Sequence, residues 1–161
     1  MTSFLYTIKN LSHTNYGDNM KDNIDYLNYV YQNARMGVVG IENIEDKVES
    51  EELKKIIKEQ LEDYETICER AIDLYLSYNQ EEKDINALVK INTYINAKIS
   101  LLGKEKDKEI AKMMIKGSNI GIIEITEKIN KYEYCDERVK TLAKQLLKIE
   151  ERNLEKLKPY L

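Results

Sequence analysis

An all-α fold, an up-down helical bundle, follows from three features of the sequence. The single proline, Pro159, stands near the end and only 6 glycines are present, so little interrupts helix over most of the chain. Apolar residues recur at the 3.6-residue period through five segments, and no stretch alternates as a strand would. Charged residues make up 34%, with 29 acidic and 25 basic side chains interleaved as on solvated helix faces. At 161 residues and 42% hydrophobic, the chain suits one domain with one core.

Residues 1–19 contain the turn-like SHTNYGDN and read as a loosely ordered N-terminal arm that adds little to the core, leaving 20–161 as the bundle. The first predicted helix runs from about Asn23 to Asp46, with Leu27, Val30, Ala34, Val38, Ile41 and Ile44 on one face. Ser50, followed by acidic residues, caps a second helix to about Asn79 whose stripe includes Leu53, Ile57, Leu61, Tyr64, Cys68, Ala71 and Tyr75. Asp84 caps a shorter third helix carrying Leu88, Ile91, Ile95, Ile99 and Leu102, closed by Gly103 and the turn KEKD. The fourth spans about Asp107 to Tyr132, and the fifth about Asp136 to Lys158.

A weak repeat links these helices. MGVVGI at Met36–Ile41 aligns with IGIIEI at Ile120–Ile125, and EELKKIIKEQL at Glu51–Leu61 aligns with ERVKTLAKQLL at Glu137–Leu147. Two similar hairpins joined by a long crossover that contains an additional helix are the arrangement this implies. The repeat also matches Tyr64 with Glu150, and it predicts a hydrogen bond between the phenol and a partly desolvated carboxylate.

NIDYLNYVYQNARMG, EQLEDYETI, EIAKMMIKGSNIGIIEI and LLKIEERNLEKLKPYL carry a resemblance to the ferritin-like superfamily, in particular its small four-helix-bundle proteins from low-GC Gram-positive bacteria. Metal-binding members take one glutamate from each of two helices and a Glu-x-x-His pair from each of the other two. By that resemblance the slots here are Gly40, Glu124, Tyr64-x-x-Ile67 and Glu150-x-x-Asn153, which hold two carboxylates and no imidazole. The expectation is therefore no di-iron site, no metal, no cofactor and no catalytic residues. The expected role is a non-enzymatic scaffold or protein-interaction module; the alternative is a small-molecule or metal carrier using Glu124, Glu150 and Asn153.

Other features narrow the classes further. His13, the single histidine, lies in the polar N-terminal stretch, away from the predicted core. Cys68 and Cys135 are far apart and read as free thiols of a reducing compartment. The runs EDKVESEE and QEEKD lack the glycine and ligand spacing of a calcium loop, and no strand precedes the glycines at Gly37, Gly40, Gly117 and Gly121 as nucleotide binding would need. The 12 tyrosines recur on core stripes with no basic groove beside them, so nucleic acid is not an expected partner. No apolar run reaches membrane-spanning length and the first residues lack a secretory pattern; membrane association is not expected, and the cytoplasm is the expected location. The fourth helix carries a second apolar side in Ile110, Met113 and Ile120, and the first a smaller one in Tyr29, Met36 and Val39. A homodimer through either face is the expected consequence.

Overall fold

The computed structural model describes residues 2–81 and 86–161, with side chains for 19–81 and 92–161. Five helices follow in order: α1 Thr2–Glu42, α2 Glu51–Ser77, α3 Asn86–Ile99, α4 Lys106–Lys131 and α5 Glu137–Leu157. Short 3-10 turns occupy Glu45–Lys47 and Lys158–Tyr160. Among the described residues there is no strand, and no helix is long and apolar enough to cross a membrane.

The first helix begins at Thr2 rather than near Asn23. SHTNYGDN contains no proline, and Gly17, its one strong helix breaker, costs only about 1 kcal/mol against alanine, so turn-like composition alone does not stop a helix. The side chains of the expected arm, His13 among them, lie outside the described residues.

Ser50 caps α2 as the sequence predicts, and Asp84, the expected cap of α3, lies outside the described residues. Ser50 Oγ accepts the Leu53 amide at 3.3 Å at the start of α2. The Asp107 carboxylate accepts the amides of Glu49 and Ser50, each at 2.8 Å, and thereby ties the α1–α2 connection to the first turn of α4. Asn79, at φ 54°, takes the left-handed conformation that ends α2, a position asparagine tolerates better than most residues.

Asp136 is the most connected cap. Its carboxylate accepts the Arg138 amide at 2.8 Å, the Arg138 guanidinium at 2.7 Å and the Tyr78 hydroxyl at 2.7 Å, joining the start of α5 to the end of α2. The bonds from Arg138 hold its carboxyl well below the usual aspartate range. A depressed folded-state pKa contributes stability that is present above the unfolded value, near 4, and is lost as pH falls. Asp136→Ala should cost about 1–2 kcal/mol at neutral pH. Urea denaturation should show the gap to the native chain narrowing below about pH 4, where the unfolded aspartate takes up its proton; a gap that widens there would contradict the assignment.

Helices α1 and α2 form one tightly packed hairpin, α4 and α5 a second, and α2 packs on α5. Lys156 reaches Glu59 at 2.7 Å and Arg70 reaches Gln145 at 2.9 Å, so α2 and α5 run antiparallel. Asp107 at Ser50 and Glu124 at Tyr29 show the same for α1 and α4. Each helix thus lies antiparallel to its counterpart in the repeat. Burial follows the repeat as well: Leu53 and Val139, Ile57 and Ala143, Gln60 and Leu146, Tyr64 and Glu150, Ile67 and Asn153, and Ala71 and Leu157 are matched positions, all buried. Leu27, Val30, Ala34, Val38, Ile41 and Ile44 supply the α1 side of the core, as periodicity predicts.

Some of the inner surface differs from that prediction. Tyr26 is fully buried and stacks on Tyr132 with ring centroids 4.9 Å apart. Gln60 is buried although polar, while Leu61 is only half-buried. The second side of the fourth helix is not a free face: Ile110 lies in the core at 0% exposure, and only Ile120 and Ile123 remain mostly exposed. On α1, Val39 is likewise buried. Cys68 and Cys135 are buried free thiols, and burial pushes both thiols up, Cys68 to about 11.

Candidate functional site

Helices α1 and α4 touch far less than the helices within each hairpin, although their inner faces carry the most glycine. Gly37 and Gly40 on α1, and Gly117 and Gly121 on α4, line a cavity of about 350 Å³ between them. Helix α3 closes one side with Tyr94 and Ile95. The walls are mainly apolar, including Met36, Ile41, Ile44, Met113 and Met114; Tyr64 and Glu150 reach in from the opposite helices, and Ser118 stands beside them. Among the described residues no lysine, arginine or histidine lines it.

Two glycines explain how the polar pair fits. A Cβ on Gly37 would stand 2.7 Å from Cδ2 and Cε2 of Tyr64, and one on Gly121 would stand 3.3 Å from Cδ of Glu150. These glycines are matched positions of the repeat, as are Tyr64 and Glu150. In each hairpin, then, a glycine on one helix makes room for the polar side chain of its neighbour. The two polar residues meet at the centre: Tyr64 Oη donates to Glu150 Oε1 at 2.8 Å, the bond expected from the repeat.

The pair is deeply desolvated, with Tyr64 5% and Glu150 4% exposed. Burial pushes the Glu150 carboxyl above its ordinary range, opposed by the hydroxyls of Ser118 and Tyr64, which favour the ionised form. Burial first, then the neighbouring carboxylate, holds the Tyr64 phenol well above its usual value. Glu150 Oε2 has no hydrogen-bond partner, and neither amide atom of the buried Asn153 has one.

Glu124 occupies the mouth rather than the interior. It is exposed and accepts from the Tyr29 hydroxyl at 3.2 Å, which in turn accepts from Asn33 Nδ2 at 3.2 Å. Burial and this carboxylate push the Tyr29 phenol upward. Lys128 lies over the outer side of the same ring, 5.1 Å from its centroid. Of the three interior candidates from the sequence, Glu124 and Glu150 line one cavity, at its mouth and its base; Asn153 does not. Ser118 and Asn33 are lining residues that the sequence reading did not single out. The signal for Ser118 was available in the repeat, where it matches the buried Ala34.

The four ferritin-like slots do not form a metal-binding set. Gly40 offers no donor, Tyr64 is bonded to Glu150, and Glu124 stands apart at the mouth. Among the described residues no three or more histidine, cysteine, aspartate or glutamate side chains gather where they could hold a metal ion. The donors present therefore do not fit a di-iron centre. No protein-family model matches the chain, and no curated protein or solved structure matches it.

Proposed function

We propose that this chain is a non-enzymatic binding protein that holds one small molecule in the cavity between α1, α3 and α4, on a ferritin-like scaffold where a tyrosine–glutamate hydrogen bond stands in place of metal. The observation that carries this reading is the cavity itself, about 350 Å³ with Glu150 in its lining, a buried carboxylate whose Oε2 has no partner. Its size falls in the usual range for small-molecule sites, roughly 300–1,000 Å³, and its pattern of apolar walls with few convergent polar groups is theirs too. A chain shaped only for rigidity gains nothing from that space. Filling it would add packing contacts, and leaving a buried acceptor unsatisfied costs about 1–3 kcal/mol. Among the described residues that face the cavity there is no activated nucleophile, which favours binding over catalysis.

The other reading is a scaffold that pairs with a second copy of itself. Of the α4 face from which it was argued, only Ile120 stays mostly exposed, because Ile110 belongs to the core and Met113 to the cavity wall. The carboxylates of the carrier alternative are therefore the better supported starting point, without the metal.

Gly117 permits a direct test. It lines the cavity, and a Cβ added there meets nothing within 4 Å. Gly117→Leu should occupy the entrance while improving helix propensity, leaving stability equal or higher by up to about 1 kcal/mol. Titration with the apolar dye Nile red should show saturable binding of one dye per chain to the native protein. Affinity should fall by about tenfold or more in the variant. Equal binding by both proteins would sink the cavity reading.

A further inference from the structure

Resting on that cavity as a ligand site, we infer that its ligand is an amphiphilic amine, whose ammonium group binds Glu150 and whose apolar body lies along the methionine and isoleucine wall. Three observations converge on this chemistry. Among the described residues the lining contains two carboxylates, Glu150 at the base and Glu124 at the mouth, and no basic side chain. In a desolvated pocket such a field attracts cations and disfavours anions.

The second observation concerns hydrogen-bond direction. Tyr64 already donates to Oε1, whereas Oε2 is buried and lacks a partner. For the ionised carboxylate the missing group is therefore a donor. An ammonium can supply one proton to Oε2 and direct others toward the hydroxyl oxygens of Ser118 and Tyr64, which accept as well as donate. A ligand offering only a carbonyl or ether oxygen would satisfy none of these positions while Glu150 is ionised.

The third is the shape of the remainder. Met36, Met113 and Met114, with Ile41 and Ile95, give an adaptable apolar wall, and Tyr94 stands at the entrance with 54% of its surface exposed. The body that fits is a hydrocarbon chain or a single ring, not a polar metabolite.

The pH dependence has a definite sign. Burial raises the Glu150 pKa, so the free site tends to hold a proton where an exposed glutamate would not. A bound ammonium favours the ionised form, and binding releases that proton. Affinity for an amine should then rise with pH through the elevated Glu150 range, and it should fall only where the amine itself deprotonates. The groups facing Glu150 do not reverse this. Tyr64 from α2 and Tyr29 from α1 both have raised pKa values, Ser118 from α4 does not titrate, and Glu124 adds negative charge that also favours the cation.

Calorimetric titration of the full chain with three isosteres separates the possibilities: 4-phenylbutylamine, its neutral counterpart 4-phenylbutanol and its anionic counterpart 4-phenylbutyrate. Near neutral pH the amine should bind at least about tenfold more tightly than the alcohol, and the carboxylate should not bind detectably. Glu150→Gln should remove the preference for the amine over the alcohol. If that variant does not fold, the native chain still decides the matter, since amine affinity should rise with pH above the ordinary glutamate range while alcohol affinity stays flat. Equal binding of amine and alcohol, a preference that survives Glu150→Gln, or a flat amine profile would overturn the amine assignment. If none of the three binds but Nile red does, the amine assignment falls and the ligand site stands. If Nile red also fails, both fall.

Discussion

Gly37→Val is expected to lower the stability of the bundle by about 3 kcal/mol, at the upper end of the usual range for overpacking a filled interior. The nearest atoms to a new Cβ are ring carbons of Tyr64 at 2.7 Å, closer than any relaxed contact. The ring cannot simply swing aside, because its hydroxyl is bonded to Glu150 and its sides are enclosed by the bundle. Either that bond breaks or α1 moves away from α2. Gly37→Ala isolates the effect through its sign: helix propensity alone would make it stabilising by about 1 kcal/mol, and the clash should reverse that. Gly117→Ala, with open space around its Cβ, should show the ordinary stabilisation. Urea denaturation of the three variants checks this. If Tyr64→Leu is introduced first, the added cost of Gly37→Val should fall by more than half, because the obstructing ring has gone. A Gly37→Val protein as stable as the native one would mean that the two helices are not in the close contact described.

The same glycine shows what the sequence made legible. Aligning MGVVGI with IGIIEI put Gly37 against Gly121, and aligning the following helices put Tyr64 against Glu150. The polar contact could be read from that alone, since matched positions of two packed hairpins converge near the centre. The cap at Ser50 was legible because capping is local chemistry. The cavity was not. Periodicity identifies which sides of a helix are apolar, but the separation of α1 and α4 is a tertiary quantity that no single helix encodes. Periodicity likewise put Ile110, Met113 and Ile120 on one second apolar side of the fourth helix, whereas Ile110 is core and Met113 and Ile120 border the cavity. Glu124 was misplaced for the same reason: a position facing α1 would be interior if the two helices touched, and becomes the mouth because they stand apart.

Tyr64→Phe is expected to destabilise the fold by about 1–3 kcal/mol, the penalty for leaving a buried acceptor without its donor. The lost bond is the 2.8 Å contact to Oε1, and with Oε2 already unpartnered the carboxylate would keep only the help of the Ser118 hydroxyl. Glu150→Gln in the Tyr64→Phe background should recover part of the loss, because an amide is cheaper to bury than a charge. The cost should also depend on pH. Glu150 has a folded-state pKa raised chiefly by burial, so its contribution is fully present below the unfolded value, near 4.3, and is lost as pH rises through the folded value. The Tyr64 hydroxyl favours the ionised form, and removing it raises the folded pKa further. Tyr64→Phe should therefore cost less near pH 4, where Glu150 is protonated in both proteins, than near pH 8, where only an ionised carboxylate needs the donor. Denaturation midpoints of the two single variants and the double variant at both pH values would decide this. A Tyr64→Phe penalty that is equal at the two pH values, and unaffected by Glu150→Gln, would mean that the phenol acts through ring packing alone and that the hydrogen bond does not anchor the site.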